Sequence, residues 1–252
     1  QENPDLAIDS TSSYAYYFNW FNSSREPFTD ARVRQAMVYA LDVDTMVNDL
    51  LQGVGVRAQA PIPSTIFGFA PQTPYAYDPD KARSLLTEAG LPNGFETHVI
   101  WVPGSGPQDR ELILSMISYW AEIGVTVESR EMERAAWLEA LLALDWDMDF
   151  QTNTVRTGDA DFTLRRLYVT SANRNGYGNP ELDQILLDAA ASPDPAERER
   201  LYAQACKIIW DDAVGIFPFE LLENYVHRTG IEGFVPTPSV VPTFETVTIA
   251  ES

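Results

Sequence analysis

Three alternating carboxylates have the type and spacing of a cation site. Asp145, Asp147 and Asp149 resemble the start of a calcium-binding loop. Such a loop needs Gly at its sixth position and Glu at its twelfth, and Phe150 and Arg156 stand there instead. We therefore interpret the three carboxylates as the solvated face of a strand, and we predict no metal site here.

Asp159 and Asp161 form a second acidic pair, separated by one residue in a predicted loop. Paired carboxylates are the catalytic groups of glycoside hydrolases, so these two residues are candidates for hydrolytic chemistry. The sequence identifies no separate acid partner for them, and Asp161 is equally suited to cap the following helix. A structural role is the preferred interpretation.

The remaining reactive residue types do not form a catalytic motif. Cys206 lies in the apolar stretch LYAQACKIIW, which predicts a buried thiol. His98 and His227 are far apart in sequence, which argues against a zinc site or a Cys–His pair. Gly104-Ser105-Gly106 predicts a flexible turn, with anion binding by backbone N–H groups as the alternative. The sequence predicts no cofactor.

Hydrophobic periodicity predicts the elements that must position these residues. The order strand, helix, strand, helix, strand over residues 95–155 predicts an α/β sheet flanked by helices. Residues 1–13 are predicted to be turn-like, the aromatic stretch 14–21 a buried strand, and Thr29 or Asp30 to Gly53 one helix. Further predictions are an irregular segment at 58–77, helices at 78–90, 179–191 and 195–212, and a strand at 215–228.

The chain is strongly acidic. Its 252 residues include 37 Asp and Glu against 17 Lys and Arg, a net charge of −20. This charge argues against nucleic acids and anionic membrane surfaces as partners, because both attract basic proteins. It fits a salty exterior or a general composition bias. Hydrophobic residues make up 45% of the chain, enough for one large domain or two small ones.

Several segments resemble the C-terminal half of family 5 extracellular solute-binding proteins, the dipeptide, oligopeptide and nickel-binding group that serves ABC importers. The segments occur in the family's order, from about residue 14 to about residue 228. They are FNWFNSSREPFTDARVRQAMVYALD, PIPSTIFGF, YDPDKARSLLTEAG, NGYGNPELDQILLDAA and ERERLYAQACKIIWDDAVGIFPF.

The resemblance implies a periplasmic-binding-protein-like lobe of type II, with a mixed sheet flanked by helices. Residues 1–22 would enter from a first lobe, 23–228 would form the ligand-binding lobe, and 229–252 would return toward the first lobe. The implied function is capture of a peptide-like or other polar solute by a monomer and delivery to permease subunits, without catalysis. The implied location is periplasmic or extracellular, including a membrane-tethered lipoprotein. Two alternatives remain open, a carboxylate-dependent hydrolase and a non-transport interaction domain.

One segment departs from the family pattern. In relatives a Trp is followed after three residues by an Asp that pairs with a peptide's α-amine, and after three more by Asp-Pro. Here Asn153 takes the Trp position, Arg156 takes the amine-binding position, and Asp159 keeps the last acid. A guanidinium repels an ammonium and favours carboxylates, so we expect a ligand with an acidic or polyhydroxylated group near Arg156. The alternative is that Arg156 pairs with Asp159 or Asp161.

Other candidate residues follow from sheet geometry and from the resemblance. Ligands bind beyond the carboxyl ends of strands in α/β sheets, which indicates residues 102–106 and 153–161. The family's loop before the next helix adds three residues, and Trp101 is either an apolar wall or a core residue. The candidate ligand-binding residues are therefore Arg156, Asn153, Asp159, Asp161, Asn173, Asn175, Tyr177 and Trp101.

Overall fold

The computed structural model describes residues 3–239 and 241–249, which fold around a six-stranded mixed sheet. Its strands are β1 (Leu6–Phe21), β2 (Gly55–Arg57), β3 (Glu96–Trp101), β4 (Thr126–Glu131), β5 (Met148–Thr154) and β6 (Gly215–Arg228). Strands β7 (Ile231–Glu232) and β8 (Thr248–Ile249) form a separate antiparallel pair. The helices are α1 (Ala31–Tyr39), α2 (Val43–Leu50), α3 (Pro79–Glu88), α4 (Asp109–Glu122), α5 (Arg134–Ala143), α6 (Ala160–Tyr168), α7 (Pro180–Ala191) and α8 (Pro195–Asp211), with a 3-10 turn at Thr170–Ala172.

The sheet combines parallel and antiparallel strands in the order β2-β6-β1-β5-β3-β4. Strand β3 runs parallel to β4 and β5, and helices α4 and α5 connect these strands in chain order. Strand β1 pairs antiparallel with both β5 and β6. The carboxyl ends of the parallel strands β3 and β5 therefore lie at one edge of the sheet, where the loops that follow them meet.

The aromatic strand β1 shows how both faces of the sheet become covered. Its side chains alternate, so Tyr16, Phe18 and Trp20 face one side while Tyr17 and Phe21 face the other. The first group packs with residues of α5, α6, α7 and α8, and the second with residues of α1, α2, α3 and α4. This three-layer arrangement confirms the predicted mixed sheet flanked by helices.

The predicted single helix from Thr29 or Asp30 to Gly53 is wrong, because the chain forms two helices there. Asp30 caps α1 by accepting from the backbone N–H of Arg32, and Asp42 caps α2 by accepting from that of Thr45. The second cap starts a new helix just after the first ends at Tyr39. Within the described residues, no helix combines the length and apolar character that crossing a membrane requires.

The prediction that residues 1–13 are turn-like holds for Pro4 and Asp5 but is wrong from Leu6 onward. Strand β1 starts at Leu6, and residues 6–12 pair with residues 222–228 of β6 in a two-stranded extension of the sheet. We call residues 6–12 and 222–228 the ribbon. The other half of β1 lies in the centre of the sheet, so the sheet continues across the predicted boundary at residue 22.

The strand predicted from Asp145 begins only at Met148. Trp146 therefore precedes the strand and packs with the cluster that contains α5, whereas Met148 and Phe150 pack on the opposite face. The solvated-face interpretation is also wrong for Asp149, which is 0% exposed. Strand β5 lies between β1 and β3, so helices cover a polar residue that would be solvated on a one-sided sheet.

Candidate functional site

A groove of about 400 Å³ lies at the carboxyl end of β5. It is bordered by β1, β5, α5, α6 and the loop before α7. We call it the arginine groove, because four arginines and no Asp or Glu line it among the described residues. Its lining residues are Phe18, Trp20, Arg134, Trp137, Leu138, Leu141, Gln151, Thr152, Asn153, Thr154, Arg156, Phe162, Arg166, Leu167 and Arg174.

The groove arginines differ from most other arginines of the chain in their partners. Lys81 and Lys207 are the only lysines, so 15 of the 17 basic residues are arginines. Within residues 3–239 and 241–249, nine arginines form ion pairs with Asp or Glu. Of the six that do not, four line the arginine groove. The groove is therefore a cationic site in a protein of net charge −20.

Arg166 is held in place at the groove by neutral partners. Its Nη2 donates to Asn153 Oδ1 at 2.9 Å, and its Nε donates to the carbonyl oxygen of Phe162 at 3.3 Å. The guanidinium also lies 4.8 Å from the centroid of the Phe162 ring. Partial burial, aided by the nearby charge of Arg174, lowers the pKa of Arg166 below its ordinary value. The side chain is thus ordered and charged, but no described carboxylate neutralises it.

The other groove arginines come from different elements. Arg134 at the start of α5 stacks on Trp137, with its guanidinium carbon 4.7 Å from the ring centroid. Arg174 belongs to the loop before α7, and its buried Nε has no hydrogen-bond partner among the described residues. Arg156 is exposed after β5 and also borders a second pocket with Tyr14 and Glu223.

Asp149 lies next to the groove, where it contacts the lining residues Trp137 and Gln151. Its carboxylate accepts from Trp137 Nε1 at 2.7 Å and from the side-chain amide of Gln151. Burial raises the pKa of Asp149 to about 7, although both hydrogen bonds and the charge of Arg134 favour the ionised form. Sequence reasoning missed this group because it placed the side chain in solvent.

The two acids expected beside Arg156 are bound to other arginines. Both oxygens of Asp159 accept from Arg198 Nη2 at 2.8 Å, and Asp159 also caps α6 by accepting from the N–H of Asp161 at 2.9 Å. Asp161 pairs with Arg165 at 2.8 Å. The alternative in which Arg156 pairs with either acid is therefore not what the structure shows. The suggestion that Asp161 caps the helix is corrected, because Asp159 does so.

At the end of β3, the candidate role of Trp101 needs correction, and the alternative role of the Gly104-Ser105-Gly106 turn in anion binding is decided. Trp101 is 2% exposed and donates from its Nε1 to Ser129 Oγ, so it is a core residue and not an apolar wall of the groove. The N–H groups of Gly104 and Ser105 donate to Asp109 Oδ2 at 2.7 and 3.0 Å. The anion that this turn binds is thus a carboxylate of the chain itself.

The loop before α7 lines the groove through Arg174, a residue that was not predicted. Asn175 is buried, with its Oδ1 accepting from the N–H of Tyr177, and the Tyr177 hydroxyl donates to Asp212. Asn173 is exposed in a left-handed conformation. Arg174 is the residue of this loop that lines the groove, whereas Asn153 and Arg156 are the predicted site residues that do so.

One sequence signal could have narrowed the search for Arg166. Most helical arginines elsewhere have an acid three or four residues away, as Arg165 has Asp161 and Arg200 has Glu197, although Arg32 and Arg110 do not. Arg166 has no acid at any of those four positions. Convergence of the four groove arginines depends on tertiary packing, so their spacing in sequence does not reveal it.

A different group of charges lies at the opposite end of β5. Asp147 Oδ2 lies 2.7 Å from His98 Nδ1 and accepts from Thr97 Oγ1 at 3.1 Å. Its other oxygen lies 3.3 Å from Arg25 Nε, and Arg25 also pairs with Asp145.

Cys206 is fully buried in α8, where burial raises the pKa of its thiol to about 12, confirming the predicted core thiol. The described residues include no cluster of three or more His, Cys, Asp or Glu placed to hold a metal ion.

Comparison with known proteins decides the family. Residues 1–175 match the sequence profile described as "Bacterial extracellular solute-binding proteins, family 5 Middle". This chain belongs to the family 5 extracellular solute-binding proteins. It is 30% identical to the glutathione-binding protein GsiB of Pectobacterium atrosepticum, over the whole chain and 51% of that protein. It is 32% identical to heme-binding protein A of Haemophilus influenzae, over 86% of the chain and 41% of that protein.

Solved structures of family members show the same fold. HbpA2 from Haemophilus parasuis superimposes with a TM-score of 0.92 and 27% identity, covering 98% of this chain and 50% of that one. A dipeptide-binding protein from Pseudoalteromonas sp. SM9913, solved with Met-Leu, gives 0.83 and 26%, covering 98% and 51%. The periplasmic-binding-protein type II lobe is thereby confirmed. The chain spans about half the length of the curated relatives it matches.

Proposed function

We propose that this chain forms one wall of the ligand cleft of a solute-binding protein, which captures a polar solute outside the cytoplasm and delivers it to an ABC permease. The observation that carries the proposal is the arginine groove at the carboxyl end of β5. Sites in α/β folds lie beyond the carboxyl ends of strands, and this groove has ordered arginines there that form no ion pair with a described carboxylate.

The ribbon supports a two-lobed clamp. It extends β1 and β6 lengthwise beyond the rest of the sheet. It carries exposed apolar side chains, which a monomeric domain would ordinarily cover. The tail after β6 carries others, so both segments suit contact with a first lobe at residues 1–22 and 229–252. The exposed large apolar residues are Leu6, Ile8 and Val226 on the ribbon and Val235, Val241, Phe244 and Ile249 on the tail. Ligand would shift the clamp from open to closed.

Binding without catalysis fits the site better than hydrolysis does. Members of this family are binding proteins. Asp159 and Asp161, the acids proposed for hydrolysis, are bound by Arg198 and Arg165 and do not line the groove. A general acid or nucleophile must reach the scissile bond, which these two carboxylates are not placed to do.

The ligand we propose is peptide-like or a similar polar solute, and the location is periplasmic or extracellular, including a membrane-tethered lipoprotein. The named ligands of two relatives, glutathione and Met-Leu, support a small peptide. Heme-binding protein A shows that family members also take other solutes. We expect a monomer, since a clamp that closes around a solute requires no second copy.

The test is a ligand screen on the complete natural protein that carries this sequence. Thermal unfolding is followed with glutathione, Met-Leu and heme, and solutes that copurify are identified by mass spectrometry. We expect at least one solute to raise the melting temperature by several degrees and to compact the protein in small-angle X-ray scattering. The R156D variant should change which solutes do so. A protein that copurifies with no solute and is stabilised by none would contradict the proposal.

A further inference from the structure

The arginine groove holds more positive charge than binding one carboxylate needs. One carboxylate is filled by one bidentate arginine or by two arginines bound end-on. Four arginines border the groove, from the start of α5, the end of β5, helix α6 and the loop before α7. None of the four forms an ion pair with another described residue. A single acidic group would leave at least two of them without a counter-charge.

We propose that the groove takes a solute with two or more carboxylate groups, one bound by Arg166 and Arg174 and another by Arg134 or Arg156. This inference rests on the proposed function, because it names the class of solute that the same groove captures. It goes further than the expected contact at Arg156, since it assigns the main selection for charge to Arg166 and Arg174.

Arg166 and Arg174 form the part of the groove that favours a bound carboxylate most clearly. Both side chains line the same groove, and the charge of Arg174 contributes to lowering the pKa of Arg166. Two neighbouring cations repel each other, and an anion between them removes that repulsion. The contacts to Asn153 and Phe162 use Nε and Nη2 of Arg166, and its Nη1 donates to none of the described residues. The buried Nε of Arg174 is likewise unused.

The neutral lining of the groove indicates a solute larger than a small anion. Phe18, Trp20, Trp137 and Phe162 supply aromatic surface, so the groove suits a solute with an apolar or planar portion between its acidic groups. A volume of about 400 Å³ is also far larger than a single inorganic phosphate needs. The groove has no acid in its described lining that would receive an ammonium group. These features favour an acidic peptide or similar polycarboxylate over a neutral peptide or a small inorganic anion.

The experiment measures affinity by isothermal titration calorimetry on the complete natural protein. The matched probes are N-acetyl-Glu-Glu, with three carboxylates, and N-acetyl-Gln-Gln-amide, with none; glutathione and inorganic phosphate are further probes. We expect N-acetyl-Glu-Glu and glutathione to bind at least tenfold more tightly than the neutral peptide. Raising the salt concentration should weaken that binding.

The variants test which arginines carry the selection. R166Q combined with R174Q should weaken binding of N-acetyl-Glu-Glu at least tenfold and leave the neutral peptide unaffected. The control is R165Q, which removes the neighbouring arginine of α6 that pairs with Asp161 outside the groove and should change nothing. R166K keeps the charge without the planar fork, so it should recover part of the lost affinity. Circular dichroism confirms that each variant is folded.

The outcomes separate the two proposals. Equal affinity for the acidic and neutral peptides, or wild-type affinity in the double variant, overturns the charge selection and leaves solute capture intact. Phosphate that binds as tightly as N-acetyl-Glu-Glu also overturns it, because the groove would then hold one small anion. If no probe binds and no solute of the earlier screen stabilises the protein, the proposed function itself is wrong.

Discussion

The two ends of strand β5 differ in how their charges are balanced. At its start, the carboxylate of Asp147 contacts Arg25 and His98, so the Arg25 guanidinium has a carboxylate partner. At its end, the groove arginines have none among the described residues. The chain has 37 acidic residues for 17 basic ones, so a shortage of carboxylates cannot explain the difference. Matched charges stabilise the fold, and unmatched ones are available for a solute.

Arg34 differs both from the ion-paired charges and from the groove arginines. Like the groove arginines it has no carboxylate partner, yet it is 4% exposed and its donors are used. It donates to the backbone carbonyl oxygens of Phe28, Thr29, Asp212 and Ala213, tying the start of α1 to the end of α8. A cation without an acid is therefore structural when carbonyl groups take its hydrogens.

The largest effect is expected for R34M, which breaks the structural side of the comparison. The substitution leaves several buried carbonyl groups unsatisfied, each costing about 1–3 kcal/mol. We expect the free energy of unfolding to fall by about 3–5 kcal/mol in urea denaturation. R32Q is the control on the same helix, since Arg32 is exposed and pairs with Asp30, and should cost less than about 1 kcal/mol. A loss below about 1 kcal/mol in R34M would contradict the structural role assigned to Arg34.

The next effect concerns Asp149 and depends on pH. Burial raises its pKa to about 7, whereas an unfolded aspartate titrates near 4. Between these values the folded protein holds a proton that the unfolded chain does not. Stability should therefore increase as pH falls, by roughly 2–3 kcal/mol between pH 8 and pH 5.

The D149N variant tests that pH dependence. The asparagine keeps an acceptor for Trp137 but cannot ionise, so its stability should lack the increase at low pH. Urea denaturation at pH 5, 6.5 and 8 measures the slope in both proteins. D145N is the control, because the Asp145 side chain is 82% exposed. Parallel curves for wild type and D149N would show that Asp149 keeps its charge throughout this range.

A smaller effect with the opposite pH dependence is expected for Asp147. Burial alone would raise its pKa, but hydrogen bonds from His98 and Thr97 and the charge of Arg25 outweigh burial and lower it. The carboxylate therefore stabilises the protein above about pH 4, and this contribution disappears as pH falls through the lowered pKa. D147N should cost about 1–2 kcal/mol at pH 7 and progressively less below pH 4. A constant cost across that range would contradict the assignment.

The sequence predicted the architecture better than the burial of particular residues. The period-2 and period-3.6 patterns located most elements, because each depends on neighbours a few residues apart. Alternation in DWDMDF could not show that β5 is a central strand covered on both faces. Asp149 was therefore predicted to be in solvent, although it is 0% exposed. The break between α1 and α2 was missed because the apolar pattern continues across the cap at Asp42.

The site was predicted only in part for a related reason. Asn153 and Arg156 follow directly from the end of β5, so sheet geometry placed them correctly beside the groove. Arg134, Arg166 and Arg174 reach it from three other elements, and no local spacing relates them. Trp101 was misplaced because an aromatic side chain at the end of a strand fits a core or a cleft equally well.

The smallest effect on stability is expected at the groove itself. If the groove arginines serve a solute, replacing them should cost the fold little, because Arg166 and Arg174 repel each other and stabilise no buried acid. We expect R166M combined with R174M to change the free energy of unfolding by less than about 0.5 kcal/mol, or to raise it slightly at low salt. Urea denaturation without added solute measures this against R165M, which loses the ion pair to Asp161.

A large loss of stability in that double variant would mean that the two arginines support the fold, as Arg34 does. We expect no such loss. Among the described residues, the charges that stabilise this fold are paired with opposite charges or, as in Arg34, have their donors taken up by several carbonyl groups. A guanidinium that lies beside a second cation and has no counter-charge raises the free energy of the unliganded protein. Binding an acidic solute would recover that energy. The same double variant should therefore keep its stability and lose the additional stabilisation that an acidic solute gives to the wild type.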